Sequence, residues 1–352
     1  MVKHALQDGF DRKISYLRIA VTDKCNFRCV YCMPADGVPP RAHGELLSAE
    51  EIARFVRLVA GEGITRVRLT GGEPLVSHRI IPLIEEIRAI PQIKDISLTT
   101  NGVLLPRLAP KLKEAGLDRV NISLDTLDPV QFSKVTRLGR LEQTLAGIDA
   151  ALEYGFDPVK VNCVVVRRLN QDVLGMANLS VDRPVHVRFI EYMPIGSDEI
   201  AGFAQRMLGK TRMASFVPSN GTPAIPCLQR ATPDYRRRCQ RCGGRWLEPV
   251  DNALCRRVGP ARYWRFPGAA GTVGFISAMS NHFCSSCNRM RLTADGAIRH
   301  VCFPMRSIAY ERALRSGDDA RVVEIFRDAV AHKPQEHEVI EGTERFMSQI
   351  GG

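Results

Sequence analysis

Apolar and polar residues alternate over residues 14–21, a period of two that predicts a β-strand. Over residues 47–61 the apolar positions recur at helical spacing. Ser48 there stands as N-cap with Glu51 three residues on, which predicts an amphipathic helix. The two periods then take turns. Strands are expected at 64–69, 93–98, 119–124, 159–166 and 185–190, with helices at 80–90, 104–116, 141–154 and, shorter, 173–179. Strand and helix alternate six times, which argues for an α/β fold with a parallel sheet and helices packed outside it. Periodicity does not separate an open doubly wound sheet from a barrel. From about residue 195 the pattern dissolves, and 215–270, rich in Pro, Gly and Arg, shows no convincing helix or strand. Regularity returns near Gly271, with a helix expected over 308–331 and a short one over 344–349. No internal repeat or long low-complexity tract is visible.

The distinctive polar clusters fall where strands end, the side on which parallel α/β sheets and barrels carry their active sites. Cys25, Cys29 and Cys32 follow the first strand at spacing C-x3-C-x2-C. Three thiolates make a poor structural zinc site, which closes with four ligands. They suit a [4Fe–4S] cluster with three irons anchored and the fourth open. A disulfide or a zinc knuckle is the plainer alternative. Gly71-Gly72-Glu73-Pro74 follows the second strand, where glycines let backbone approach a ligand and a carboxylate can accept from an ammonium group. Alone, such a turn is usually structural. A second set, Cys284 and Cys287 with Cys302 after fourteen residues, again offers three thiols and not four. A zinc ribbon short of one ligand, or unrelated buried thiols, would read the same way. Arg289 and Arg291 sit beside that set, and guanidinium groups suit bidentate phosphate or carboxylate contact. A solvated charge pair is the alternative.

Composition narrows the class. The 352 residues are 45% apolar and 25% charged, which fits a soluble globular protein of one large domain or two ordinary ones. No window approaches a membrane span, and the first residues carry no apolar leader, so neither membrane insertion nor export is expected. Eleven cysteines, six of them in two tight sets, argue for metal in a reducing cytoplasm rather than a disulfide framework. The net charge of +11 fits nucleic acid or a polyanionic small substrate, and charge alone does not choose.

C-x3-C-x2-C with Tyr31 before its last cysteine resembles the radical S-adenosylmethionine (SAM) superfamily. Longer motifs narrow the match: T-D-x-C-N-F-R-C-x-Y-C-M-P, R-L-T-G-G-E-P-L, T-T-N-G, N-I-S-L-D, V-K-V-N, V-R-F-I-E-Y-M-P, C-x2-C-N-R-x-R-L-T-A-D-G and a final Gly-Gly. Together they resemble the GTP 3′,8-cyclases of molybdenum cofactor biosynthesis, from Tyr16 to Met193 and again from Gly271 to Gly352.

The resemblance implies a partial, six-unit TIM-type (βα) barrel over 1–195 and an irregular region over 196–352 carrying a second iron–sulfur cluster. It implies a lyase that cyclises GTP to 3′,8-cyclo-7,8-dihydro-GTP, a product handed to cyclic pyranopterin monophosphate synthase. It also implies SAM, two [4Fe–4S] clusters and an electron donor such as flavodoxin or ferredoxin, with no nucleic acid and no membrane. Carried residue by residue, Cys25, Cys29 and Cys32 hold the first cluster, and Cys284, Cys287 and Cys302 the second. Tyr31, Gly72, Ser123 and Met193 contact SAM. Arg18, Arg68, Thr99, Lys160, Arg188, Arg289, Met290 and Arg291 meet GTP, and Gly351 and Gly352 support the step after SAM cleavage.

There are departures. The family usually has thirteen residues before its last auxiliary cysteine, against fourteen here, and 215–260 match it poorly. Zinc at Cys227, Cys239, Cys242 and Cys255 stays open, as does a monomer or homodimer. Cys163 reads as a small core residue. The competing readings are another two-cluster radical enzyme, a peptide maturase or an RNA-modifying enzyme, and a non-catalytic iron–sulfur or zinc protein.

Overall fold

The alternation of periods becomes a sheet of parallel strands joined by helices. The structure, a computed structural model, describes residues 6–39, 41–166, 169, 171–193, 195, 247–250, 259–281, 283–300, 308–336 and 345–350. The six expected strands are β1 (Tyr16–Ala20), β2 (Arg66–Thr70), β3 (Asp95–Thr100), β4 (Arg119–Ser123), β5 (Val159–Val165) and β6 (Val185–Glu191). Between them run α1 (Ala49–Ala60), α2 (Ile80–Arg88), α3 (Leu105–Glu114), α4 (Pro129–Thr136), α5 (Leu141–Glu153) and α6 (Val173–Asp182). Ser48 caps α1 as expected: its side chain accepts from the Glu51 amide, while Glu51 returns a bond to the Ser48 amide.

Later strands extend this unit on both sides. They are β7 (Glu248–Pro249), β8 (Arg262–Arg265), β9 (Thr272–Ile276), β10 (Arg289–Leu292), β11 (Ala297–Arg299) and β12 (Ile308–Ala309). The sheet order is β12-β11-β10-β1-β2-β3-β4-β5-β6-β9-β8-β7. β10 lies parallel beside β1 and β9 parallel beside β6, so the eight adjacent strands from β10 to β9 form one parallel run. The outermost pairs are antiparallel. Among the described residues β12 does not pair with β7, and the curved sheet stays open.

Strand parity divides the sheet into two faces. Leu17, Ile19, Val67, Leu69, Ile96 and Leu98 are wholly buried against the helices, with Val120, Ile122, Val161 and Cys163 continuing the layer. That places Cys163 in the core, as expected. The opposite parity carries Tyr16, Arg18, Arg68, Thr99, Lys160, Asn162 and Arg188, which line a cavity.

Three expectations need correction. Residues 308–331 are not one helix: β12 is followed by α7 (Glu311–Arg315) and, after a turn, α8 (Asp319–Ala331). Gly317 takes φ +82°, which ends α7, and the Asp318 side chain caps α8 through the Arg321 amide. The stretch 215–270 contains β8, whose Tyr263 and Trp264 are buried against β9; its flanking Gly and Pro hid four strand residues. Residues 347–349 form a single 3-10 turn rather than a helix.

Candidate active site

The cysteine loop is shaped by short contacts, several of them from α4, the helix that periodicity missed. Arg28 and Val30 donate their amides to the carbonyls of Thr136 and Val135 at the end of α4. Arg137, held at φ +62°, donates to the carbonyls of Arg28 and Met33. Asn101, from the loop after β3, reaches Asn26 at 2.6 Å. The loop after β2 is pressed still closer: a Cβ on Gly72 would lie 2.2 Å from the Lys24 carbonyl oxygen, and one on Gly71 2.2 Å from that of Thr22. Only glycine fits such a cradle.

Cys25, Cys29 and Cys32 line one end of a cavity of about 290 Å³. Burial raises all three thiols, Cys25 to about 11 and Cys32 to about 12, and Cys29 is raised further by Cys32, Asp125 and Cys25. Three thiolates brought this close repel one another unless a cation lies among them. Among the described residues no three His, Cys, Asp or Glu close around a single metal ion. A cluster takes one thiolate per iron, so the donor set fits a [4Fe–4S] group. Tyr31, Gly72, Ser123 and Met193 line the same end. Tyr31 donates to Asp125 at 2.6 Å, and Asp125, raised to about 6 by burial, also accepts from the Val164 amide.

Glu73 behaves differently from the sequence reading. It is buried, and its carboxylate accepts from the Leu75 amide, the Thr100 hydroxyl and the Asn101 amide. It therefore braces the loop after β2 against the loop after β3. Burial raises its pKa to about 7 even against those three donors.

The rest of the cavity is cationic. Register sets Arg291, Arg18 and Arg68 at one level across β10, β1 and β2, with Arg289 beside Tyr16 one step below. Lys160 and Arg188 come from β5 and β6. Burial pushes the Arg18 guanidinium well below its usual value, and Arg291, Arg68 and Arg289 push it further by repulsion. Arg68 is lowered to about 10, mainly by burial, with Arg188, Arg289 and Arg119 adding to it against an attraction to Tyr16. Burial alone would raise the Tyr16 hydroxyl, but Arg68, Arg289 and Arg18 outweigh it and bring it down. Arg68 and Arg289 stand over the Tyr16 ring at 5.4 and 5.7 Å. Arg188 donates to Asn162 and Asn121, two residues that sequence reasoning passed over although they share strand parity with Lys160. Arg18 Nε and Thr99 Oγ1 are buried without a hydrogen-bond partner. A ring of cations with unsatisfied donors fits a polyanion that satisfies them.

The remaining expected residues fare unequally. Met290 is wholly buried in the core, where alternation along β10 turns it away from Arg289 and Arg291; its side chain does not line the cavity. Cys284 and Cys287 sit on a 3-10 turn, and Phe283 just before it lines the cavity under Arg289. Arg12, paired with Asp8, donates to the Cys284 carbonyl, and Lys333 contacts the Cys287 sulfur at 3.8 Å. Cys302, Gly351 and Gly352 lie outside the described residues, as do Cys227, Cys239, Cys242 and Cys255. Among the described residues no helix is long and apolar enough to cross a membrane.

The Radical SAM superfamily profile matches residues 19–179, and that of Molybdenum Cofactor Synthesis C matches 234–339. The chain is 45% identical to a GTP 3′,8-cyclase of Pelotomaculum thermopropionicum, over 99% of this chain and 100% of that one. It is 46% identical to a GTP 3′,8-cyclase of Moorella thermoacetica with the same coverage. Among solved structures, Streptococcus suis SuiB bound to S-adenosylmethionine superposes with a TM-score of 0.53 at 15% identity, covering 89% of this chain and 67% of that one. This last likeness concerns the fold.

Proposed function

This chain belongs to the GTP 3′,8-cyclases, and from that premise we propose how its cavity divides between cofactor and substrate. The enzyme converts GTP into 3′,8-cyclo-7,8-dihydro-GTP, the first step of molybdenum cofactor biosynthesis. It uses SAM and a [4Fe–4S] cluster. When bound, these supply a 5′-deoxyadenosyl radical that takes hydrogen from ribose C3′.

Cys25, Cys29 and Cys32 hold that cluster, and Tyr31, Gly72, Ser123 and Met193 hold SAM beside it. The cradle at Gly71 and Gly72 supports this, because backbone alone faces the cavity there. Arg18, Arg68, Lys160, Arg188, Arg289 and Arg291 receive the triphosphate, with Thr99 adding a hydroxyl. The observation that carries the assignment is the convergence of Arg18, Arg68, Arg289 and Arg291 on one cavity, with Arg18 Nε buried and without a hydrogen-bond partner. An arrangement that costs the unliganded protein stability is repaid only by a polyanion. Charge-assisted contacts then fix the ribose at the cofactor end, where positioning governs rate.

Cys284 and Cys287, with Cys302, would hold a second cluster, a reading supported by Phe283 and Arg289 joining that turn to the cavity wall. Tyr263, Phe283, Arg289 and Arg291, all from the later part of the chain, thus complete the wall of the same cavity. A flavodoxin- or ferredoxin-type donor in the cytoplasm supplies electrons, and the product passes to cyclic pyranopterin monophosphate synthase. The test is GTP deuterated at ribose C3′, incubated anaerobically with SAM and reductant. Deuterium recovered in 5′-deoxyadenosine supports the assignment; unlabelled 5′-deoxyadenosine from turning-over enzyme rejects it.

A further inference from the structure

One carboxylate outside the cavity holds two distant segments at once. Asp295 lies in the turn between β10 and β11, where Gly296 at φ +77° and the Thr293 hydroxyl shape the backbone. Arg345 grips it with both terminal nitrogens, Nη1 to Oδ1 and Nη2 to Oδ2, each at 2.9 Å. Arg41, in the stretch leading away from the cysteine loop, adds Nη1 to Oδ2 at 2.7 Å. Burial alone would raise the Asp295 carboxyl, but Arg345, Thr293 and Arg41 outweigh it and hold it below the usual carboxylate range.

Beyond Arg345 the chain enters the cavity within a few residues. Met347 and Ser348 line it, together with Cys32, and Arg291 donates to the Ile350 carbonyl at 3.2 Å. Ile350 is buried against Ile195, Met193 and Met279. Gly351 and Gly352 follow it in the sequence. The same hairpin therefore fastens this segment twice, at Arg345 through Asp295 in the turn and at Ile350 through Arg291 on the strand. A bidentate pair fixes direction as well as distance, which a single hydrogen bond does not.

We propose that Asp295 is a positioning residue for the cyclisation: with Arg345 and Arg41 it clamps the 345–350 segment along the cavity wall, where Met347 and Ser348 line it and Ile350 holds Arg291. This rests on the reading that Gly351 and Gly352 support the step after SAM cleavage. Losing the clamp leaves SAM binding and cleavage in place and uncouples cleavage from product. A role in global stability alone would lower both together.

The experiment compares holoenzyme variants Asp295→Asn, Arg345→Lys and Arg345→Ala with Gly351→Ala and Gly352→Ala. The readouts are hydrogen exchange at 346–350, SAM affinity, and cyclised product per 5′-deoxyadenosine. Asp295→Asn and Arg345→Ala are expected to speed exchange at 346–350 about tenfold or more. Product per 5′-deoxyadenosine falls at least fivefold, SAM affinity stays within twofold, and Arg345→Lys lies between. Arg345→Ala lies outside the hairpin, so it decides the matter if Asp295→Asn fails to fold. Unchanged exchange or unchanged coupling in the clamp variants overturns the proposal. If the glycine variants keep full coupling while the clamp variants lose it, the glycine reading fails and the clamp stands. If the glycine variants lose coupling and the clamp variants keep it, the clamp fails alone.

Discussion

Arg18 shows how function is set against stability at a single side chain. Its Nε is buried without a partner, and three other guanidinium groups push on its charge. Arg18→Met keeps most of the packing and removes the charge. The unliganded variant is expected to melt at or above the wild-type temperature while binding GTP at least about tenfold more weakly, since a charge-assisted contact is worth about 1.5–3 kcal/mol. Calorimetry with GTP and a thermal scan check both halves, and a variant that loses stability but keeps affinity contradicts the account.

Glu73 gives a pH signature. Its folded pKa of about 7 stands above the ordinary carboxyl value of 4.5, so between those values the native state binds more protons than the unfolded chain. Stability then falls as pH rises through that window, by on the order of 3 kcal/mol from this group. In the apo-protein, denaturant unfolding of wild type against Glu73→Gln from pH 4.5 to 7 should show the extra decline in wild type only. An opposite slope rejects the assignment.

At the scale of elements, the sequence made the core units legible because each strand keeps one parity apolar and each helix one face apolar. The cysteine and glycine motifs were legible for another reason: their residues are contiguous. What stayed hidden depends on contacts between distant segments. Nothing in 289–292 announces that it pairs with β1, yet that pairing brings Arg291 level with Arg18 and Arg68. α4 carried a signal that went unread, Asp128 capping the Gln131 amide with Pro129 at the first turn. Met290 was drawn into the site by its neighbours' chemistry although parity turns its side chain to the core. Met290→Ala is accordingly expected to cost about 2–5 kcal/mol of stability. Its GTP affinity stays within about twofold of wild type, and a selective loss of GTP binding in a stably folded variant restores Met290 to the pocket.

Across the whole molecule, an open sheet replaces the packed interior of a closed barrel with a polar face. That face would be a poor core, and its cations gain a use only around an anionic substrate. The net charge of +11 is thus partly concentrated where one nucleotide can use it. The most direct measurement is anaerobic turnover of reconstituted protein with GTP, SAM and dithionite, followed by chromatography and mass spectrometry. The account predicts 5′-deoxyadenosine, methionine and a nucleotide isobaric with GTP but separable from it, because the hydrogen taken from C3′ is replaced by an electron and a proton after ring closure. Formation of 5′-deoxyadenosine with GTP recovered unchanged would contradict it.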